Sequence, residues 1–325
     1  MPLAPYFWAA IPATVFKRDK DVRRRVLLAV ACIGIFWVGG PVRSEENCQL
    51  KEITSLDIQT DEVGRVYLPA SIAGQPENLL LSTESAYSAL AARAVKALDL
   101  RQVLSGLYNI ADHSFVRAQY ESVASLQLGS LTNSQFKFLV IPDEGIPLRA
   151  AGVLSFGVFG DYDVELDFAH GKLNLFLPHH CRGQVVYWTH GIAARVPIAT
   201  YKNGMITAPV TLDGRQLTAI LAIDGSDNRM SLQYARSVFG NDYIDAGLKP
   251  LGSTQSSPYS FPFKSLSLGG LAVSSRTIAL YDAPTNTGIV NPSPALNIGE
   301  PTLREIHIYI SHNEGYLYAT AADAH

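Results

Sequence analysis

The chain repeats itself. Gly64-Arg65-Val66-Tyr67-Leu68-Pro69 lines up with Gly204-Met205-Ile206-Thr207-Ala208-Pro209, an offset of 140 residues (204 − 64). At the same offset Gly74 falls on Gly214, Leu81 on Leu221, and Leu126-Gln127-Leu128-Gly129 on Leu266-Ser267-Leu268-Gly269. Towards the ends the offset drifts to 144, with Gly171 on Gly315 and Leu173 on Leu317. A register held through such different segments restricts the fold to two copies of one unit.

Each copy reads as strands and turns. Val66, Leu68, Ala70 and Ile72 alternate with neighbours pointing the other way, as a half-buried strand does. Ala73-Gly74 and Asp213-Gly214 are tight-turn pairs, followed by the short apolar strands Leu79-Leu80-Leu81 and Ala219-Ile220-Leu221. A helix is expected next in each copy, with Leu90, Ala94 and Leu98 as one apolar face and Leu232, Ala235 and Phe239 as the other. Further strands are expected over 122–128, 136–141 and 162–168, and Gly171 turns the chain back through Lys172 to Phe176. The expected fold class is all-β with few short helices: two pseudo-symmetric, barrel-like lobes, at 45–184 and 197–325. Residues 185–196 read as a connector, with Tyr187 and Trp188 packed between the lobes.

The first 44 residues differ. A basic cluster from Lys17 to Arg25 precedes the uncharged run Val26 to Val42, whose densest part is short for a membrane span of about 20 residues. This is the pattern of a secretory signal peptide cleaved near Ser44, or of an N-terminal anchor if uncleaved. Cys32 lies in that run. Cys48 and Cys181 flank the first repeat, so in an oxidising compartment a disulfide would clip the ends of that lobe; the other reading is two free thiols. The composition, 47% hydrophobic and 17% charged, is that of a packed protein. A net charge of −3 implies no broad basic face, so nucleic acid is not an expected partner. No phosphate-binding glycine loop or nucleotide fingerprint is present, and no cofactor is expected.

The order of strand, turn, strand, the loop Ser82-Thr83-Glu84 and a helix, followed later by Gly152-Val153-Leu154-Ser155, resembles the retropepsin/pepsin-like aspartic peptidases. It resembles in particular exported bacterial members with two units in one chain. The resemblance implies two loops meeting across a two-fold axis, each bearing Asp-Thr-Gly, with an apolar-Gly element behind each. The supporting elements stand here as Leu154-Ser155 and Ile298-Gly299, one glycine having become serine. The catalytic letters are degenerate: Ser82-Thr83-Glu84 in the first loop and Ala222-Ile223-Asp224 in the second. A two-residue insertion would instead set Asp224 opposite Ser82 and Leu232 opposite Leu90.

Aspartic-peptidase chemistry needs two carboxylates that share a proton, one activating water and the other protonating the carbonyl. Ser82 is no base near neutral pH, and Ala222 has no polar side chain. The family threonine steadies the pair across the axis; Thr83 retains its hydroxyl and Ile223 has none. Glu84 and Asp224 could form a displaced dyad, with Asp227 assisting, or could be loop acids that cap helices. Ser82 as a serine nucleophile, with His113 in the same lobe, lacks a Gly-x-Ser-x-Gly elbow. His179-His180-Cys181 reads as a loop beside a disulfide and not as a metal site. Asp163, Glu165 and Asp167 alternate with apolar residues and read as the solvated face of a strand.

Three functions follow. The first is an exported, periplasmic or envelope-associated, catalytically inactive homologue that binds a peptide or protein segment in the inter-lobe cleft, covered by a hairpin from Tyr108 to Tyr120. The second is an active endopeptidase using Glu84 and Asp224. The third is a structural envelope protein, its cleft filled by residues such as Tyr87 and Met230. Membrane contact is expected only through an uncleaved N-terminal anchor.

Overall fold

The computed structural model describes residues 49–100, 104–109, 115–201, 204–225, 227–252, 257–274, 276–282 and 296–323. The signal or anchor segment 1–44, Cys48 and His113 lie outside these residues. No described helix is long and apolar enough to cross a membrane.

Each repeat is built on one hairpin. Val66–Ile72 and Gln75–Ser82 are joined by Ala73-Gly74 at φ 50° and 84°; Ile206–Leu212 and Arg215–Leu221 are joined by Asp213-Gly214 at φ 45° and 75°. A two-residue turn with both φ values positive matches the right-handed twist of its strands, which is why glycine sits second in both copies. On its far side each returning strand takes a parallel partner, Gly152–Ser155 in the first copy and Leu296–Ile298 in the second. Antiparallel to those partners run the short strands Ala89–Ala91 and Arg229–Ser231, which lead into the helices Ala92–Ala97 and Leu232–Phe239. Leu90 is therefore a strand residue, not part of the helix face expected for it. The first helix buries Ala94 and Val95, with Leu98 at its C-cap; the second buries Leu232 and Ala235.

The pairing also fixes the repeat register. Leu90 stands opposite Gly152, and Met230 opposite Leu296. Leu90 thus corresponds to Met230, and the two-residue insertion that would match Leu90 with Leu232 is ruled out: the sheet leaves no room for it.

The two halves share a six-stranded sheet. Its order is Glu52–Asp57, Lys172–Phe176, Asp163–Asp167, Ile306–Ser311, Tyr316–Ala321, Ala194–Pro197, three strands from each repeat. Read from either end, it passes through the same elements. At its middle Glu165 pairs with Tyr309, its own counterpart in the other copy, so the pseudo-two-fold axis passes between them. Ala194–Pro197 falls largely inside the segment expected to be a connector, because it is the second copy of Glu52–Asp57.

This sheet overturns one expectation. Asp163, Glu165 and Asp167 are not solvated: their exposures are 0%, 1% and 8%. A strand in the middle of a sheet shared by two lobes is covered on both faces, so buried carboxylates there need partners. Asp163 accepts from His180 Nε2 at 2.6 Å, the Tyr309 hydroxyl at 3.3 Å and the His312 backbone N–H at 3.0 Å. Glu165 accepts from His307 Nε2 at 2.8 Å, Asn174 Nδ2 at 2.6 Å and the Tyr187 hydroxyl at 2.8 Å. Burial, with the neighbouring carboxylates, pushes the Tyr187 and Tyr309 hydroxyls above their ordinary range and keeps them as donors. Trp188 stacks on His307 with ring centres 4.1 Å apart and donates to Thr320. Tyr187 and Trp188 therefore pack against the shared sheet. His180, expected in a loop beside a disulfide, lies in a loop next to the disulfide-bonded Cys181, with its side chain buried. Cys181 is disulfide-bonded, and its expected partner, Cys48, lies outside the described residues.

Candidate functional site

The strands Gln75–Ser82 and Arg215–Leu221 deliver their following loops to one place. Ser82 Oγ donates to Asp224 Oδ2 at 2.6 Å, and the Thr83 N–H donates to Asp224 Oδ1 at 3.2 Å. Thr83 is fully buried; its hydroxyl donates to the Leu221 carbonyl at 2.7 Å and accepts from the Ile223 N–H at 3.0 Å. One threonine thus satisfies two buried backbone groups of the opposite loop. Ile223, equally buried, returns nothing, as its lack of a hydroxyl predicts.

Ser82 has no spare hydrogen-bonding capacity. Its single proton goes to Asp224, and its oxygen accepts from the N–H groups of Glu84 at 3.2 Å and Ser85 at 2.8 Å. Its hydroxyl joins the first loop's backbone to the carboxylate of the second. Ala222, the opposite motif residue, is fully buried and adds only a methyl group.

Glu84 and Asp224 occupy equivalent loop positions, but no hydrogen bond joins them among the described residues. Glu84 reaches across the lobe boundary to Arg229 Nη2 at 2.5 Å and Asn297 Nδ2 at 2.6 Å. Burial pushes its carboxyl above the ordinary 4.5; Arg229 pulls it down, and Asp224 and Asp227 push it up. Each of its oxygens thus accepts from a donor of the second repeat. Asp227 accepts the Tyr281 hydroxyl at 3.0 Å.

The elements behind the loops also differ between copies. A side chain at Gly299 would collide with the backbone oxygens of Asp227 and Gly225, so the second loop packs directly on that glycine. The first copy has Ser155 there, and its hydroxyl donates to the Ser85 carbonyl at 2.9 Å. The Gly299 N–H donates to Asn228 Oδ1, whose side chain is held by Thr302.

Arg229 and Asn297 were not singled out in the sequence. Their counterparts in the other copy are Ala89 and Val153, both apolar. Polar residues at two positions that the first repeat keeps apolar, near an extra Glu, were the available signal. Of the residues expected to fill the cleft, Met230 is fully buried in its strand, whereas Tyr87 is 40% exposed. Tyr87 borders a cavity of about 310 Å³ beside the first loop, with Tyr120, Phe136, Leu139 and Val158. The segment expected to cover the cleft is a hairpin, Leu104–Asn109 paired with the start of Phe115–Leu128; residues 110–114 lie outside the described chain.

No protein-family model matches the sequence, and no curated protein matches it either. Among solved structures, the chain is similar to the crystal structure of basic 7S globulin from soybean, with a TM-score of 0.51 and 10% identity over 85% of this chain and 96% of that one. A likeness at that identity concerns the fold alone. The chain has a bilobal, aspartic-peptidase-like fold whose two central loops meet through Ser82, Thr83 and Asp224.

Proposed function

We propose that this protein is a non-catalytic relative of the exported aspartic peptidases that binds an extended peptide or protein segment in the cleft between its lobes. The observation that carries this reading is the Ser82–Asp224 hydrogen bond at the loop junction. One carboxylate stands there, bonded to a serine hydroxyl and a backbone N–H, where the chemistry needs two acids sharing one proton. The cavity beside Tyr87 supports binding, since it leaves room for a ligand side chain next to the loops. Backbone hydrogen bonding to an extended segment needs neither aspartate. The disulfide at Cys181 is in keeping with export to an oxidising compartment such as the periplasm or envelope.

The test is a peptidase assay on a denatured protein substrate from acid to neutral pH. The natural chain should release no fragments. Hydrolysis abolished by Glu84→Gln or Asp224→Asn would establish the displaced dyad and overturn the reading. A Ser82→Asp/Ala222→Asp double variant that gains hydrolysis would sharpen it, since only the acids would then be missing. An extended-peptide library that shows no binding at any composition would favour a purely structural role.

A further inference from the structure

A cavity of about 380 Å³ lies beside the Asp213-Gly214 turn of the second repeat, lined by Asp213, Arg215, Phe239, Tyr243, Lys264 and Ser265. Its polar edge is missing from the first repeat, although the backbone there is the same. The Asp213 N–H donates to the Ser265 carbonyl at 2.9 Å, as the Ala73 N–H donates to the Ser125 carbonyl at 2.8 Å. Arg215 pairs with Leu212 as Gln75 pairs with Ile72. Asp213 therefore corresponds to Ala73, Arg215 to Gln75 and Lys264 to Ala124. One wall is new as well. After Gly240 the helix Asn241–Asp245 follows Leu232–Phe239 and brings in Tyr243, whereas no second helix follows Ala92–Ala97 among the described residues.

Part of this set holds the fold. Asp213 Oδ1 accepts the N–H groups of Lys264 and Ser265, each at 2.7 Å, and its Oδ2 accepts the Tyr243 hydroxyl at 2.7 Å. Burial, with the Asp213 carboxylate, pushes that hydroxyl up to about 12 and keeps it a donor. The rings are held from behind: Phe239 packs on Phe263 and Tyr243 on Phe261, with centres 5.0 and 5.3 Å apart. The two cations do not share in this. Arg215 and Lys264 are exposed, and neither forms an ion pair among the described residues. The Lys264 ammonium stands 5.5 Å from the centre of the Tyr243 ring. Asp245, on the same helix as Tyr243, is taken by Arg236. The turn itself needs neither cation, since the first repeat builds it with Gln75 and Ala124 at these places.

We propose that this cavity is a second binding site, separate from the cleft, and that it takes a small aromatic carboxylate. Arg215 and Lys264 hold the carboxylate, and the rings of Phe239 and Tyr243 take the flat apolar body. A guanidinium matches a carboxylate with two parallel hydrogen bonds, and an ammonium adds a point charge. The volume falls within the range of roughly 300–1,000 Å³ usual for small-molecule sites. Two cations stand against the single carboxylate of Asp213. That balance favours a monoanion over a phosphate dianion, which Asp213 would repel more strongly.

The experiment uses the full chain and three fluorescent probes: 2-naphthoate, its uncharged amide and 2-naphthyl phosphate. Anisotropy titrations at low salt should place 2-naphthoate on the order of tenfold tighter than the amide, with the phosphate weaker than the carboxylate. Arg215→Gln and Lys264→Gln should each weaken 2-naphthoate several-fold and leave the amide unchanged. Phe239→Ala should weaken both. Lys137→Gln removes the cation that lies 5.4 Å from the Tyr120 ring at the first-lobe cavity, and it should change neither. Equal binding of carboxylate and amide, tightest binding of the phosphate, or no binding of 2-naphthoate overturns the inference. So does a carboxylate preference that survives the Arg215→Gln/Lys264→Gln double variant or is lost in Lys137→Gln. The peptide-library test of the cleft stands or falls separately from all of these.

Discussion

The strands Asp163–Asp167 and Ile306–Ser311 are the same element in two copies, side by side at the two-fold axis. One carries Asp163, Glu165 and Asp167; the other, at the equivalent places, carries His307, Tyr309 and Ser311. All six are buried. The acids of the first copy accept from the histidine and tyrosine of the second. The loops show the same division. Thr83 grips the backbone of the second loop and Ile223 grips nothing, while Glu84 is received by Arg229 and Asn297, whose counterparts are apolar. A duplicated unit has thus become two complementary halves. Two identical copies would set Glu165 against a second glutamate at the axis, and like charges buried together are unfavourable. Acid on one side and donors on the other removes that conflict and makes each half depend on its partner.

This complementarity can be broken unevenly. Asp163→Ala strands three donors, His180 Nε2, the Tyr309 hydroxyl and the His312 N–H, and should cost about 3–5 kcal/mol in urea unfolding. His307→Ala in the equivalent position should cost clearly less, because Glu165 keeps Asn174 and Tyr187 as donors. Equal costs would mean that the acidic copy holds no special place. Thr83→Val strands a buried carbonyl and N–H of the other loop and should lose roughly 2 kcal/mol. Ile223→Thr should lose less than half as much, its own loop having no such bonds to give up; the reverse ranking would contradict a one-sided grip.

Glu84 provides a test in pH. Burial raises its carboxyl above 4.5 in the folded protein. The folded state therefore binds that proton more tightly than the unfolded state does. Its contribution to stability is complete below 4.5 and declines as pH rises through the raised value. Thermal melts should accordingly show the natural chain losing ground to Glu84→Gln as the pH rises above about 4.5. A difference that stays flat across that range would place the carboxyl in an ordinary solvated setting. The smallest effect is expected at the motif serine. Ser82→Ala should cost about 1 kcal/mol, for the lost bonds to Asp224 and two backbone N–H groups. Ala222→Ser should not improve on the natural chain, because a hydroxyl would enter a fully buried position.

Much of this was legible before any coordinates. The 140-residue offset placed the hairpins at Ala73-Gly74 and Asp213-Gly214, because a tight turn writes its φ requirement into its own two residues. The same offset set Ser82 against Ala222 and Thr83 against Ile223. Leu90 was misplaced because three strand residues running into a helix carry no periodicity of their own. The alternation of Asp163, Glu165 and Asp167 suggests a solvated face because period two reports only that neighbouring side chains point to opposite faces. It does not report what covers each face.

The sequence by itself therefore determined the duplication, the hairpins, the strand-rich bilobal body and the absence of two motif aspartates, since each is written in local spacing and residue type. Only the tertiary structure decided where the remaining acids go. Glu84 turns to Arg229 and Asn297 rather than to Asp224, and Asp163 and Glu165 turn inward to His180 and His307. The physical reason is that a carboxylate's partner is chosen by burial and by which donors the fold brings within about 3 Å, and those donors lie up to 213 positions away along the chain.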